Sequence, residues 1–387
     1  MARFAAGVRR FLRSQAVPTI SVTAALVTCL FVPPDAAYAG YVDLETLGRL
    51  ACVLAVVGAL RSTGLFEMLA ARLVRRCRST RALVCALVGV TALASMFVTN
   101  DMALVALLPL SAASMVEARR RDLVAPVFVL QGVAANLCGM LLPFGNPQNI
   151  YLSARFDIGL GPFLATMAPP FLLSVALVAL GCLVLVPRGR VEVDVAVHAV
   201  PGRRVALLAA LLALCVAAVL GVVPVWVAFP AVFGCLAAVD RPSLARTDWG
   251  LIVTFAAFFV FSGNIARIEA VREAFTAWVS WGAFVPAAVL SQVISNVPAA
   301  VVLAQFTGDW AGLLAGVNVG GAGTPVASLA TLIVMTHYGA LARSLPARGT
   351  GAPQAALRSG GRFAALLCAV NGACLAVLLA AGVLAGW

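Results

Sequence analysis

Charge is what this sequence has least of. Only 11% of its residues are charged, while 63% are hydrophobic and mean hydropathy is +1.03. A soluble domain carries about 25% charged residues. The deficit excludes a soluble fold and points to an all-α polytopic membrane protein. Lysine is absent altogether, so arginine carries the whole net charge of +12. The arginines fall between apolar runs, where they fix orientation by the positive-inside rule. No basic face is interleaved with exposed aromatics, which excludes nucleic acid as a partner. No C-x-x-C pair occurs among the ten cysteines, so they read as buried, inert thiols rather than disulfides or metal ligands. There is also no H-E-x-x-H, no G-x-S-x-G and no paired-aspartate motif. The chain is therefore not expected to be an enzyme, to have catalytic residues or to hold a cofactor, and an intramembrane enzyme is the alternative from another class.

What is present is a succession of apolar runs near the length of a bilayer-crossing helix, about 20 residues. Residues 1–43 read as an N-terminal signal anchor: Arg3, Arg9, Arg10 and Arg13 precede the apolar run Pro18 to Val32. The small-residue stretch Ala36 to Ala39 resembles a cleavage site, but the many spans after it favour a retained anchor. Residues 44–190 form a first repeat, with a helical hairpin at 82–118 and a broken helix at 124–156. Residues 191–247 are a linker and a helix pair. Residues 248–387 repeat the pattern, with a hairpin at 283–306 and a broken helix at 313–336.

The connector after the first span of the first repeat carries Arg61, Arg72, Arg75, Arg76, Arg78 and Arg81. Its counterpart carries Arg267, Glu269, Arg272 and Glu273, so its charge balances. The first reads as cytoplasmic and the second as outside, which inverts the second half and predicts an inverted-topology repeat with two re-entrant hairpins and two broken transmembrane helices. Two full spans joined by a tight turn is the alternative for the first hairpin. The protein is expected in the cell (inner or plasma) membrane, multi-pass, with its N-terminus cytoplasmic.

Each hairpin carries a polar knot at its tip: Thr99-Asn100-Asp101 in the first, Ser295-Asn296-Val297-Pro298 in the second. Polar groups and irregular backbone at bilayer depth are costly unless buried in protein or lining a wet cavity. Broken helices expose N–H groups that attract anions and C=O groups that coordinate cations. Thr99, Asn100, Ser295, Asn296, Thr324 and Pro325 are therefore candidate substrate contacts. Asp101, Gly145, Asn146, Asn149 and Gly323 are candidates for coupling to a cation, a sodium ion or a proton. Singly, each has a plainer reading: asparagine as interhelical glue, glycine and proline as kinks, Asp101 as a helix N-cap. Their recurrence at matching places favours a ligand site. His337 and His198 lie at or beyond span ends and read as solvated.

At these residues the sequence resembles the ion-transporter superfamily, which includes divalent-anion/sodium symporters, citrate-type carriers and the membrane subunit of arsenite pumps. The motifs that carry the resemblance are Thr99-Asn100-Asp101, Gly145-Asn146-Pro147-Gln148-Asn149, Ser291 to Pro298, and Asn318-Val319-Gly320-Gly321 with Gly323-Thr324-Pro325. The resemblance implies a scaffold domain and a transport domain, often in a homodimer, moving in an elevator-like way. In dicarboxylate carriers of this group both tips read Ser-Asn-Thr. Thr99 with Asn100 and Ser295 with Asn296 match that pattern, while Asp101 and Val297 depart from it. An acid beside a dianion site repels the substrate unless it is protonated or paired with a cation. The two tips look more like the arsenite-pump branch. The expectation is a cation- or proton-coupled secondary active transporter of a small anionic solute. Arsenite or antimonite efflux, or cation/proton antiport, is the alternative.

Overall fold

The computed structural model describes residues 16–193, 195, 197, 199–344 and 359–387. The N-terminal arginines, His198, Arg348 and Arg358 lie outside the described residues. Every regular element among those residues is helical. The helices are α1 (Ala16–Thr28), α2 (Leu44–Arg61), α3 (Leu65–Val74), α4 (Thr80–Phe97), α5 (Asn100–Glu117), α6 (Val124–Cys138), α7 (Pro147–Arg155), α8 (Leu160–Leu185), α9 (Gly202–Val219), α10 (Val225–Val239), α11 (Arg241–Ala245), α12 (Trp249–Arg267), α13 (Glu269–Val279), α14 (Phe284–Ile294), α15 (Asn296–Leu303), α16 (Trp310–Val319), α17 (Leu329–Ser344) and α18 (Gly360–Ala385). Among the described residues six helices can cross a membrane by length and composition, or seven if the bent pair α2–α3 counts as one span.

Helix starts are set by side chains that take up the first free N–H groups. Asp43 accepts from Thr46 N at 2.9 Å to open α2, and Asp248 accepts from Leu251 N at 3.1 Å to open α12. These two helices lead their respective halves, so the cap itself recurs. Asp309 opens α16 through Gly312 N at 2.9 Å and also accepts from Ala283 N at 2.9 Å, tying α16 to the start of α14.

The order hairpin then broken helix occurs twice. In each half the hairpin packs on the first arm of its own broken helix: α4 and α5 on α6, α14 and α15 on α16. Its second arm also packs on the far arm of the opposite half, α5 on α17 and α15 on α7. The hairpins thereby clasp across the junction. All of α6 is buried, as is α16 from Gly312 onward. A helix that is apolar all round belongs in such a core. α14 and α16 approach closely because Gly316 and Gly320 face α14: a Cβ on Gly316 would lie 2.3 Å from Phe284 O, and one on Gly320 2.8 Å from Ala288 Cα.

Two sequence expectations shift. Arg267, read as part of the connector, is the last residue of the helix that begins at Trp249. Its polar stretch is absorbed by α1 and the segment that follows it: Asn264 donates to Thr28 Oγ1 at 3.0 Å, and a Cβ on Gly263 would meet the Tyr41 ring at 2.6 Å. Arg267 therefore ends a helix and pairs with Asp35 at 2.7 Å. The two hairpins also differ in length. At about 1.5 Å per residue, the 11 residues of α14 and the 8 of α15 are too short to cross a core of about 30 Å. The 18 residues of α4, about 27 Å, are long enough by themselves.

Candidate functional site

The first tip forms where α4 stops at Phe97 and α5 starts at Asn100. Val98 N still bonds Ala94 O at 2.8 Å, but no N–H reaches Ser95 O or Met96 O among the described residues. The second tip turns on one residue. Ser295 has φ +75° and ψ 154°, a region that for a non-glycine costs about 1–3 kcal/mol. Ser295 is held there by Ser295 N to Ser291 O at 3.0 Å and by its hydroxyl to Ala327 O at 3.2 Å. Asn296 N donates to the same Ala327 O at 3.0 Å, which fastens the second tip to the break between α16 and α17.

Two further asparagines join the halves. Asn136, on α6, accepts from Asn100 Nδ2 at 3.3 Å and from Ser328 Oγ at 2.7 Å, and donates to Gly321 O at 3.3 Å. Its symmetry-like counterpart Asn318, on α16, donates to Asn149 Oδ1 at 2.7 Å and accepts from Gln148 Nε2 at 3.1 Å and Asn146 Nδ2 at 3.5 Å. Each reaches into the break of the other half. Each also stands three residues before a glycine that lies under a tip asparagine. A Cβ on Gly139 would fall 2.4 Å from Asn100 Oδ1, and one on Gly321 3.1 Å from Asn296 Nδ2. The path Asn100–Asn136–Gly321–Asn296 links both tips through buried polar groups; Asn100 and Asn296 are only 8% and 6% exposed.

Beside Asn100 the backbone forms a small cradle of oxygens. A Cβ on Gly145 would lie 2.5 Å from Gly139 O, 3.3 Å from Met96 O and 3.4 Å from Ser95 O, and Asn100 Oδ1 borders the same glycine pair. Asn100 Oδ1 is buried and accepts no hydrogen bond, and so is Asn146 Oδ1. Buried acceptors without a donor are rare and costly, about 1–3 kcal/mol each. Uncharged oxygens converging on one spot are the donor set of a hard cation such as Na⁺.

The other expected site residues divide. Thr99 is buried at the tip, Gly145 shapes the cradle, and Asp101 stands in the first turn of α5 with no ion pair among the described residues. Asn149 is fully engaged with protein: besides Asn318, it donates to Met140 O and Leu142 O at 3.1 Å each. That makes it a brace for the first break. Thr324 and Gly323 pack on Gln292. Thr324 N donates to Gln292 Oε1 at 2.9 Å and Thr324 Oγ1 to Gln292 O at 3.0 Å, and Gly323, at φ +111°, lets Gln292 approach. Asn136, Asn318 and Gln292 were not expected as site residues. The shared spacing Asn-x-x-Gly at 136–139 and 318–321 was the available signal for the first two.

A family model described as a citrate transporter, CitMHS, matches residues 9–336. The inner membrane protein YbiR of Escherichia coli (strain K12) is 29% identical over 305 residues, 76% of this chain and 80% of that protein. An uncharacterized transporter of Methanocaldococcus jannaschii is 26% identical over 304 residues, 76% of this chain and 81% of its own length. A silicon efflux transporter of Oryza sativa subsp. japonica is 35% identical over 142 residues, 36% of this chain and 28% of that protein.

Proposed function

This chain belongs to the citrate transporter family, and from that premise we propose that it is a secondary active transporter of a small anionic solute, coupled to a cation or proton. The observation that carries the reading is the buried path from Asn100 through Asn136 and Gly321 to Asn296. It sets amide donors from two tips beside the helix start of α5, whose free N–H groups favour negative charge. The Asn296 side chain and the Thr99 hydroxyl have no hydrogen-bond partner in the protein among the described residues, so both are available to a solute. The oxygen cradle at Ser95, Met96, Gly139 and Asn100 takes the coupling cation, and a cation there offsets the charge of Asp101 toward an anion.

In this reading the two halves are inverted repeats with re-entrant tips, set in the cell membrane with the N-terminus in the cytoplasm. The scaffold is α2 with α9 and α10, pinned by the Arg204–Asp240 pair and by Ser243 Oγ to Asp240 Oδ2 at 2.6 Å. The hairpins and broken helices move against it in an elevator-like way, in a homodimer. A second reading, export of a weakly acidic hydroxylated solute against protons, is favoured by Asp101 beside the tip and by the silicon efflux relative.

Flux in proteoliposomes tests both. Citrate, arsenite and silicic acid are supplied under an imposed sodium gradient or pH gradient. The first reading predicts sodium- or proton-driven anion flux that falls at least tenfold in Asn100→Ala and in Asn296→Ala; the second predicts flux of the neutral acids driven by pH alone. Wild-type flux in both variants removes the site assignment.

A further inference from the structure

The base of the first hairpin, where α4 begins, holds a cleft that the transport reading does not use. The chain leaving α8 folds back onto it: Thr80 N donates to Gly189 O at 2.9 Å and Val191 N to Arg78 O at 3.2 Å. Beside these bonds opens a cleft of ≈ 530 Å³ lined by Ser79, Arg81, Arg188, Gly189 and Arg190. No acidic side chain lines it, and none of its three arginines forms an ion pair among the described residues. Arg81 is fixed to the end of α8, donating through Nη2 to Leu183 O at 2.7 Å and through Nε to Val186 O at 2.8 Å. Gly189 leaves its wall thin: a Cβ there would lie 2.8 Å from Thr80 Oγ1 and 3.5 Å from Arg120 Nη1. Thr80 is fully buried, and its hydroxyl has no partner among the described residues. Arg120 has that Nη1 to spare, because it pairs with Asp122 through Nε at 3.0 Å and Nη2 at 2.9 Å.

We propose that this cleft binds the phosphate group of an anionic phospholipid. A phosphodiester only accepts hydrogen bonds, and the side chains around the cleft are donors: the guanidiniums of Arg81, Arg188 and Arg190, and the Thr80 hydroxyl. The Arg81 N–H, in the first turn of α4, has no backbone partner among the described residues either, and the positive end of the helix adds to the same field. The source of the phosphate follows from the rim. The turn of α8 that Arg81 ties down turns Leu183 and Val184 outward, Val184 being 71% exposed. Basic and apolar surfaces thus meet at the mouth, which suits a headgroup whose acyl chains lie along α8; a soluble phosphate gains nothing from the apolar side. Solvated arginines that only set orientation are the plainer reading, but that reading leaves the buried Thr80 hydroxyl without an acceptor. The proposal is independent of the solute and of the two tips.

Thermal unfolding of the purified, delipidated full chain tests this, since a ligand of the folded state raises the melting temperature. Micelles doped with phosphatidylglycerol should raise it by several degrees over micelles doped with phosphatidylcholine at the same mole fraction. In Arg188→Gln/Arg190→Gln, where both side chains are exposed, most of that difference should disappear while the melting temperature in phosphatidylcholine stays put. Arg72→Gln/Arg76→Gln removes the same charge from exposed positions that do not line the cleft, and should keep the difference. An equal loss in the two pairs would overturn the proposal in favour of diffuse attraction to anionic lipid. An undiminished difference in Arg188→Gln/Arg190→Gln, or an equal response of the wild type to the two lipids, would overturn it as well. Inorganic phosphate added to the wild type in phosphatidylcholine micelles should change little; a rise as large as that from phosphatidylglycerol would overturn the lipid as the source.

Discussion

At the scale of single residues, the asparagines separate into those that hold the molecule and those left for a ligand. Asn318 spends its side chain on Asn149, Gln148 and Leu314 O. Asn318→Ala leaves Asn149 Oδ1 and Gln148 Nε2 buried and unpaired, and unsatisfied groups of this kind cost about 1–3 kcal/mol each. We expect a melting temperature in detergent several degrees lower for Asn318→Ala. Asn296→Ala, whose side chain bonds no protein group among the described residues, should lose transport with its melting temperature nearly unchanged. Gly139→Ala adds a methyl group 2.4 Å from Asn100 Oδ1, so it should reproduce the transport loss of Asn100→Ala. A Gly139→Ala protein with full activity would separate Asn100 from the site. At the rim, Asp35 shows the sign of a surface pair. The Arg267 guanidinium hydrogen-bonded to it holds its carboxyl below the usual range, and the Ala37 N–H adds to this. A depressed carboxyl contributes stability above its unfolded value, about 4, and loses it as pH falls through the folded value. The difference in melting temperature between wild type and Asp35→Asn should therefore be flat from pH 8 to 5 and close only below about pH 4.

At the scale of elements, the contact of α14 with α16 is made by glycines spaced Gly316-x-x-x-Gly320. Gly316→Val would force backbone apart, because the new Cβ would sit 2.3 Å from Phe284 O and 2.7 Å from Ala287 Cβ. We expect poor membrane yield or a large loss of thermal stability, whereas Gly372→Ala on α18, with open space around it, should be silent. The elements themselves were largely legible in the sequence, since long apolar runs bounded by arginine leave little choice. The helix starts at Leu44 and Trp249 fall at or next to the residues where the two repeats were read to begin. The end of α12 was not legible, because Ser262-Gly263-Asn264 resembles a span end until α1 is seen packed over it. The braces Asn136 and Asn318 were hidden for the same reason. Their partners lie about 170–195 residues away in the chain, and a lone asparagine in an apolar run says nothing of distance. Asn149 was legible as a polar residue at the break but not as a brace, since that role depends on Asn318.

At the scale of the whole molecule, the halves are joined by helix packing and by side chains that reach across it. α5 lies on α17 and α15 on α7, while Asn136 and Asn318 each satisfy the opposite break. A ligand that bridges the tips would thus be felt by both halves at once. The central claim is that Asn100 and Asn296 serve one pocket. A double-mutant cycle on transport rate tests it most directly, using the wild type, Asn100→Ala, Asn296→Ala and the double variant in proteoliposomes under one gradient. Residues that act on a shared ligand are strongly non-additive, so the double variant should be little worse than the poorer single variant. Losses that multiply, as they would for two independent sites, would contradict the account.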